Sequence, residues 1–172
     1  SSLTYDSYVI NHSEAYTLAL LMCLFEYLIE ALLFKSSKTD GRIVLAGLIL
    51  IVTGQILRIA AMWTCGKNFS HVIMMEKRDN HELVTTGVYS LFRHPSYTGW
   101  YWWSLGTQVL LANPICAIWY ACVGWIFFSE RIPYEENLLT EFYPDTYPSY
   151  ARKTFIGIPF VRTYVRNSNK SR

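Results

Sequence analysis

Residues 15–34 and 43–63 form two apolar runs of about 20 residues, each interrupted by only three strongly polar groups. These are Thr17, Glu26 and Glu30 in the first run, and Thr53, Gln55 and Arg58 in the second. Wound into α-helix, each run is roughly 30 Å long, the thickness of a hydrocarbon core. The segment between them, KSSKTDGR, is short and polar and contains Asp-Gly, so it reads as a tight extramembrane turn. A third apolar region, from Tyr97 to Phe128, is too long for one ordinary span and breaks at Asn113-Pro114. Proline removes a backbone donor and pushes the preceding residue out of the helical region. The break predicts a helical hairpin with limbs of about 16 residues, too short for a full span by rise alone. Such limbs reach partway against the longer helices or cross where the bilayer thins. The predicted class is all-α: a polytopic integral membrane protein with two full spans and a Pro-broken hairpin.

Composition agrees. Apolar residues make up 52 % of the 172 and charged residues 16 %, against about 25 % charged in a soluble domain. A disordered tail, a collagen-like repeat and a typical soluble enzyme are excluded. A net charge of +2 is too small to point to nucleic acid. Cys23, Cys65, Cys116 and Cys122 show no CxxC spacing and read as buried reduced thiols. HELVT lacks the second histidine of a zinc motif, so no metal is expected. No two glycines form a GxG pair, which removes the soluble dinucleotide fold.

Charge placement predicts orientation. Two spans and a hairpin leave Lys67, Lys77, Arg78, Arg93, Arg131, Arg152, Lys153, Arg162, Arg166, Lys170 and Arg172 on one side, with Lys35, Lys38 and Arg42 opposite. The positive-inside rule puts the first group in the cytosol. The chain opens on Ser1 rather than Met, and residues 1–13 carry neither a signal-peptide pattern nor a lipidation motif, which leaves room for an upstream segment. Glu26 and Glu30, four residues apart on one helix face, are expected to pack or to pair with Arg58. EENLLTEFYP reads as a short amphipathic helix ending at Pro144.

The polar residues that suggest chemistry crowd the ends of the hairpin. HELVTTGVYSLFRHPSYTGWYWW leads into its first limb and FFSERIPYEENLL leaves its second. The hairpin gathers Arg93, His94, Ser96, Tyr97, Arg131, Glu135 and Glu136 on one membrane-border rim, by default a functional site. Structural alternatives are a plain Arg131–Glu135 ion pair, and His94 as the residue that opens a helix before Pro95.

NFSHVI, HELVTTGVY, FRHPSYTGWYWWSLGTQVLLANP, RIPYEENLL and YARKTFIGIPF together resemble the isoprenylcysteine carboxyl methyltransferases. The likeness runs from about Gly54 to Phe160. HPxYxG followed by Arg and Glu-Glu also occurs in phospholipid methyltransferases and sterol reductases; the joint run with GTQVLLANPIC and GIPF is more specific. The resemblance implies one membrane methyltransferase domain over 1–172. Its parts would be an N-terminal segment (1–14), two transmembrane helices (15–64), a cytosolic cofactor loop (65–96), the hairpin (97–130) and a cytosolic C-terminal segment (131–172). It implies methylation of the C-terminal carboxylate of farnesylated or geranylgeranylated cysteine by S-adenosylmethionine, leaving S-adenosylhomocysteine. It further implies CAAX-processed partners such as small GTPases, contact with membrane lipid, and a multi-pass protein of the endoplasmic reticulum with a cytosol-facing site.

Residue by residue, the resemblance places cofactor contacts on Met74, His81, Glu82, Leu83, Val84, Tyr89, His94, Pro95, Ser96, Tyr97 and Glu135. It places the substrate-carboxylate arginine, the catalytic residue, on Arg131. Met74 departs from the Gln expected there, and Pro133 sets the i, i+4 geometry of Arg131 and Glu135 in question. Trp100, Trp102 and Trp103 suit either a prenyl slot or an interfacial belt. The rivals are a phospholipid N-methyltransferase, whose amine substrate Arg131 would repel, a sterol reductase fragment, and a non-enzymatic membrane scaffold that would leave the rim charges without purpose.

Overall fold

The computed structural model describes residues 14–34, 38, 40–77 and 82–162. Its helices are α1 (Glu14–Leu33), α2 (Gly41–Cys65), α3 (Pro95–Leu110), α4 (Pro114–Phe142) and the single-turn α5 (Tyr147–Ala151). Short 3₁₀ turns follow α2 (Gly66–Asn68) and precede α3 (Gly87–Ser90). Among the described residues there is no strand, only an isolated parallel bridge between Phe92 and Phe155. Gly41–Asn68 and Pro114–Phe142 are long and apolar enough to cross a membrane by length and composition. Large apolar side chains such as Leu32, Leu45, Ile56, Trp63 and Ile118 are exposed along α1, α2 and α4. Patches of that extent mark a surface that meets membrane or other protein rather than water.

The break at Asn113-Pro114 is present, with Pro114 opening α4. The second limb differs from the expected 16 residues. It continues past Phe128 and through Pro133 to Phe142, 29 residues in all, and absorbs the short helix expected over EENLLTEF. A mid-helix proline forfeits one bond, here to the Ser129 carbonyl, and the Glu and Leu residues beyond it are good helix formers. Arg131 and Glu135 therefore stay one helical turn apart on α4.

Glycines set the spacing of α2 and α3. Gly47 and Gly54 on α2 lie seven residues apart, as do Gly99 and Gly106 on α3. A Cβ on Gly99 would fall 2.5 Å from the Gly54 carbonyl oxygen, and one on Gly47 would fall 2.4 Å from the Leu110 nitrogen. The two backbones touch, as small-residue interfaces in membranes allow.

α1 holds the hairpin turn by its charges, and the expected pairing of Glu26 and Glu30 with Arg58 is replaced by other partners. The Glu26 carboxylate accepts from the backbone N–H groups of Ile115 and Cys116 at 2.7 Å each, capping the positive end of α4. Glu30 accepts from Lys38 Nζ at 2.7 Å. The same ammonium donates to the carbonyls of Leu111 and Ala112 and to Asn113 Oδ1, just beyond the negative end of α3. Arg58 reaches Ser96, donating to its carbonyl and hydroxyl at 3.3 Å each.

At the other end the chain returns to the hairpin. Arg93 N donates to Phe155 O at 2.9 Å and Phe155 N to Leu91 O at 2.8 Å. Trp102 Nε1 donates to Gly157 O and Trp125 Nε1 to Pro159 O, so these indoles hold the Gly-Ile-Pro-Phe segment. Beneath it lies a core of Tyr101, Phe128, Ile132, Ile156 and Ile158.

Candidate functional site

The site is built where α3 begins. Proline at the first helical position fixes the start of α3 and leaves His94 as the capping residue in non-helical conformation. His94 is buried and stacks on Tyr97, rings 5.6 Å apart and 4° from parallel. The residue that opens the helix also lines the cleft.

Beneath the histidine lies an ion cluster. Glu136 is wholly buried and takes Arg93 Nε at 2.5 Å. His94 Nε2 lies 3.3 Å from the same carboxylate oxygen. Arg93 spends Nη1 on the carbonyls of Thr154 and Ala151. The cluster therefore fastens α3, α4 and the returning C-terminal segment together beneath the site.

One open cleft, enclosing about 730 Å³ of space that includes its open mouth, is lined by Glu82, Leu83, Val84, Tyr89, His94, Pro95, Ser96, Tyr97 and Glu135. Met74 lines an adjoining cleft that shares Tyr97 and Glu135. His81 lies outside the described residues. Arg131 stands beside the cleft, joined to it through Tyr97. Its Nε donates to the Tyr97 hydroxyl at 3.0 Å, and that hydroxyl donates to Glu135 Oε2 at 2.7 Å. Arg131 Nη2 donates to His71 O at 2.7 Å, and the guanidinium lies over the rings of Tyr97 and Phe127. Among the described residues, Arg131 and Glu135 meet through this shared phenol and not by a direct ion pair.

The sequence reading missed several wall residues, among them Asn68, Leu139, Tyr143, Tyr147 and Tyr150. Leu139 could have been found from Glu135, one helical turn earlier on the same face. Tyr143 caps α4 one turn beyond Leu139; Tyr147 and Tyr150 carry no local signal and arrive because the chain folds back after α4. Tyr150 donates to Tyr89 O at 2.7 Å. Burial holds the phenols of Tyr89, Tyr147 and Tyr150 above the ordinary tyrosine range, so all three remain protonated. The Tyr147 hydroxyl, buried in the wall, has no hydrogen-bond partner. Such an unmet group costs about 1–3 kcal/mol.

The wall thus offers two carboxylates, Glu82 and Glu135, and five tyrosine rings, with a guanidinium at its edge. Carboxylates and π-faces suit a cationic ring-bearing molecule, and the guanidinium suits an anion beside it.

A helical scaffold with an apolar outer surface and a polar cleft at its helix ends marks a membrane protein. The family model for the isoprenylcysteine carboxyl methyltransferase (ICMT) family matches residues 47–141. The protein-S-isoprenylcysteine O-methyltransferase of Xenopus laevis is 48 % identical, over 94 % of this chain and 56 % of its own length. The Arabidopsis thaliana protein-S-isoprenylcysteine O-methyltransferase B is 46 % identical, over 94 % of this chain and 81 % of its own. The solved structure of the eukaryotic intramembrane Ras methyltransferase ICMT superposes with a TM-score of 0.89 at 43 % identity, covering 95 % of this chain and 59 % of that one. The chain belongs to the isoprenylcysteine carboxyl methyltransferase family. It spans a little over half the length of the animal relatives.

Proposed function

We propose that this chain methylates the C-terminal carboxylate of a prenylated cysteine, with S-adenosylmethionine as the donor bound in the tyrosine-walled cleft. The observation that carries this reading is the Arg131–Tyr97–Glu135 chain, which sets a cation for the acceptor carboxylate beside a carboxylate for the cationic donor. The donor's acidic and aromatic surroundings fit a sulfonium joined to a purine nucleoside. When bound, it supplies an electrophilic methyl group and departs as a neutral thioether.

The rest is the work of this chain's own residues. The acceptor carboxylate is ionised at neutral pH, so no side chain need take a proton. The donor would supply its methyl group to one oxygen of that carboxylate and leave as the thioether, with Arg131 holding the acceptor in place. Arg131 holds the carboxylate with its remaining N–H groups while Nε and Nη2 are fixed to Tyr97 and His71. Its role is positioning; holding two reactants in attack geometry can contribute roughly 7–11 kcal/mol. Glu135 and the Glu82–Val84 stretch hold the donor, and the Arg93–Glu136–His94 cluster keeps the cleft wall rigid.

The substrates on this reading are CAAX-processed proteins such as small GTPases. The setting is the endoplasmic reticulum membrane with the cleft toward the cytosol, supported by the distribution of Lys and Arg. The test is transfer of labelled methyl from S-adenosylmethionine by membranes carrying the chain. Labelling of N-acetyl-S-farnesylcysteine but not N-acetylcysteine is expected; labelling of phosphatidylethanolamine instead would move the assignment to lipid N-methylation.

A further inference from the structure

Tyr147 lies in the wall of the cleft, 1 % exposed, and its hydroxyl is the one buried side-chain nitrogen or oxygen among the described residues without a hydrogen-bond partner. Several polar groups of the same wall have other partners: Tyr97 with Glu135, Tyr150 with the Tyr89 carbonyl, and Arg93 and His94 with Glu136. Native structures rarely leave such a group unmet unless a ligand or water completes it. The ring is held in place. Tyr147 N donates to Tyr143 O at 2.9 Å, and its ring meets that of Tyr150 edge-on at 6.0 Å.

We propose that Tyr147 is a donor-binding residue whose hydroxyl donates a hydrogen bond to an acceptor atom of the bound methyl donor. The proposal rests on the reading of this cleft as the donor site. The chemistry is complementary. Glu82 and Glu135 on the same wall only accept, and so match the ammonium and sulfonium of such a molecule. Its carboxylate, ribose oxygens and purine nitrogens need donors, and Tyr147 supplies a protonated phenol. Nothing in the resemblance to the family points to this residue; the orphaned hydroxyl does.

The experiment compares the purified full chain with Tyr147→Phe, without any acceptor substrate. Binding of S-adenosylmethionine and S-adenosylhomocysteine is measured by calorimetry, and thermal unfolding in detergent with and without each. In the absence of ligand Tyr147→Phe should unfold at the same temperature as the parent or above it, because the deleted oxygen bonds to nothing. Affinity for both ligands should fall about 5- to 50-fold, with a correspondingly smaller rise in Tm at saturation. Unchanged affinity overturns the proposal, since the hydroxyl is then met by water. A variant that unfolds well below the parent without ligand also overturns it, since the hydroxyl then has a protein partner. A parent chain that binds neither ligand defeats the donor-site reading itself, an outcome distinct from both.

Discussion

Arg131 Nε donates to the hydroxyl of Tyr97 across 3.0 Å, so an arginine on α4 takes its orientation from a tyrosine on α3. The same hydroxyl donates to Glu135, one helical turn beyond Arg131. The two halves of the site are therefore joined by one oxygen atom, and the register of α3 against α4 sets the direction of the guanidinium.

Tyr97→Phe removes that oxygen while keeping the ring that stacks on His94. Hydrogen bonds to charged groups contribute about 1.5–3 kcal/mol each. With the arginine released, kcat/KM for a farnesylcysteine acceptor should fall about 10- to 100-fold, and more steeply than donor affinity. Steady-state methyl transfer and donor titration together give the split. An equal loss in both would place the hydroxyl on the donor alone.

Arg131→Ala and Arg131→Lys should be nearly alike. The guanidinium uses Nε on Tyr97 and Nη2 on the His71 carbonyl and still has N–H groups for a carboxylate. A lysine ammonium is a single point charge on a flexible stem and cannot keep that fork. Both variants should lose at least about tenfold in kcat/KM while binding S-adenosylhomocysteine like the parent. Glu135→Gln should do the reverse and weaken donor binding. Recovery of activity by the lysine variant would show that charge alone suffices.

Much of this arrangement was legible in the sequence, for reasons that can be named. Hydropathy located the helices of residues 15–34 and 43–63, and Asn113-Pro114 located the turn, because both signals are local. The partners of Glu26 and Glu30 were not legible. A carboxylate within an apolar run announces that it needs a partner, but its partners here are backbone N–H groups of α4 and Lys38. Backbone groups leave no mark in a sequence. Pro133 misled because proline is read as a helix breaker, whereas a long helix tolerates the loss of one bond. Tyr147 and Tyr150 reach the cleft only through the return of the chain, which the Phe92–Phe155 bridge and the Arg93–Glu136 pair fix.

Glu136→Ala tests that return. It leaves the Arg93 guanidinium buried without its carboxylate, and losing one partner of a buried pair typically costs about 3–5 kcal/mol. Thermal unfolding should fall accordingly. Protease cleavage near Arg152 and Lys153 should quicken, because Arg93 also holds the carbonyls of Ala151 and Thr154. Glu136→Gln keeps an oxygen acceptor and should be milder. Equal stability of parent and alanine variant would remove the cluster from the scaffold.

Gly99→Ala tests the contact beneath the site. Its Cβ would meet the Gly54 carbonyl at 2.5 Å and the Arg58 nitrogen at 2.8 Å, both of them backbone atoms that cannot swing aside. α2 and α3 must move apart, and overpacking of this kind typically costs about 1–3 kcal/mol. The displacement falls one turn from Ser96, which Arg58 holds from α2 and which lines the cleft, so donor affinity should fall along with Tm. Gly41→Ala is the control, because nothing lies within 4 Å of its Cβ and alanine is the better helix former. Gly41→Ala should leave Tm unchanged or slightly raised. If Gly99→Ala melts with it, the touching backbones do not set the helix spacing, and the cleft owes its shape to the ion cluster and the C-terminal segment.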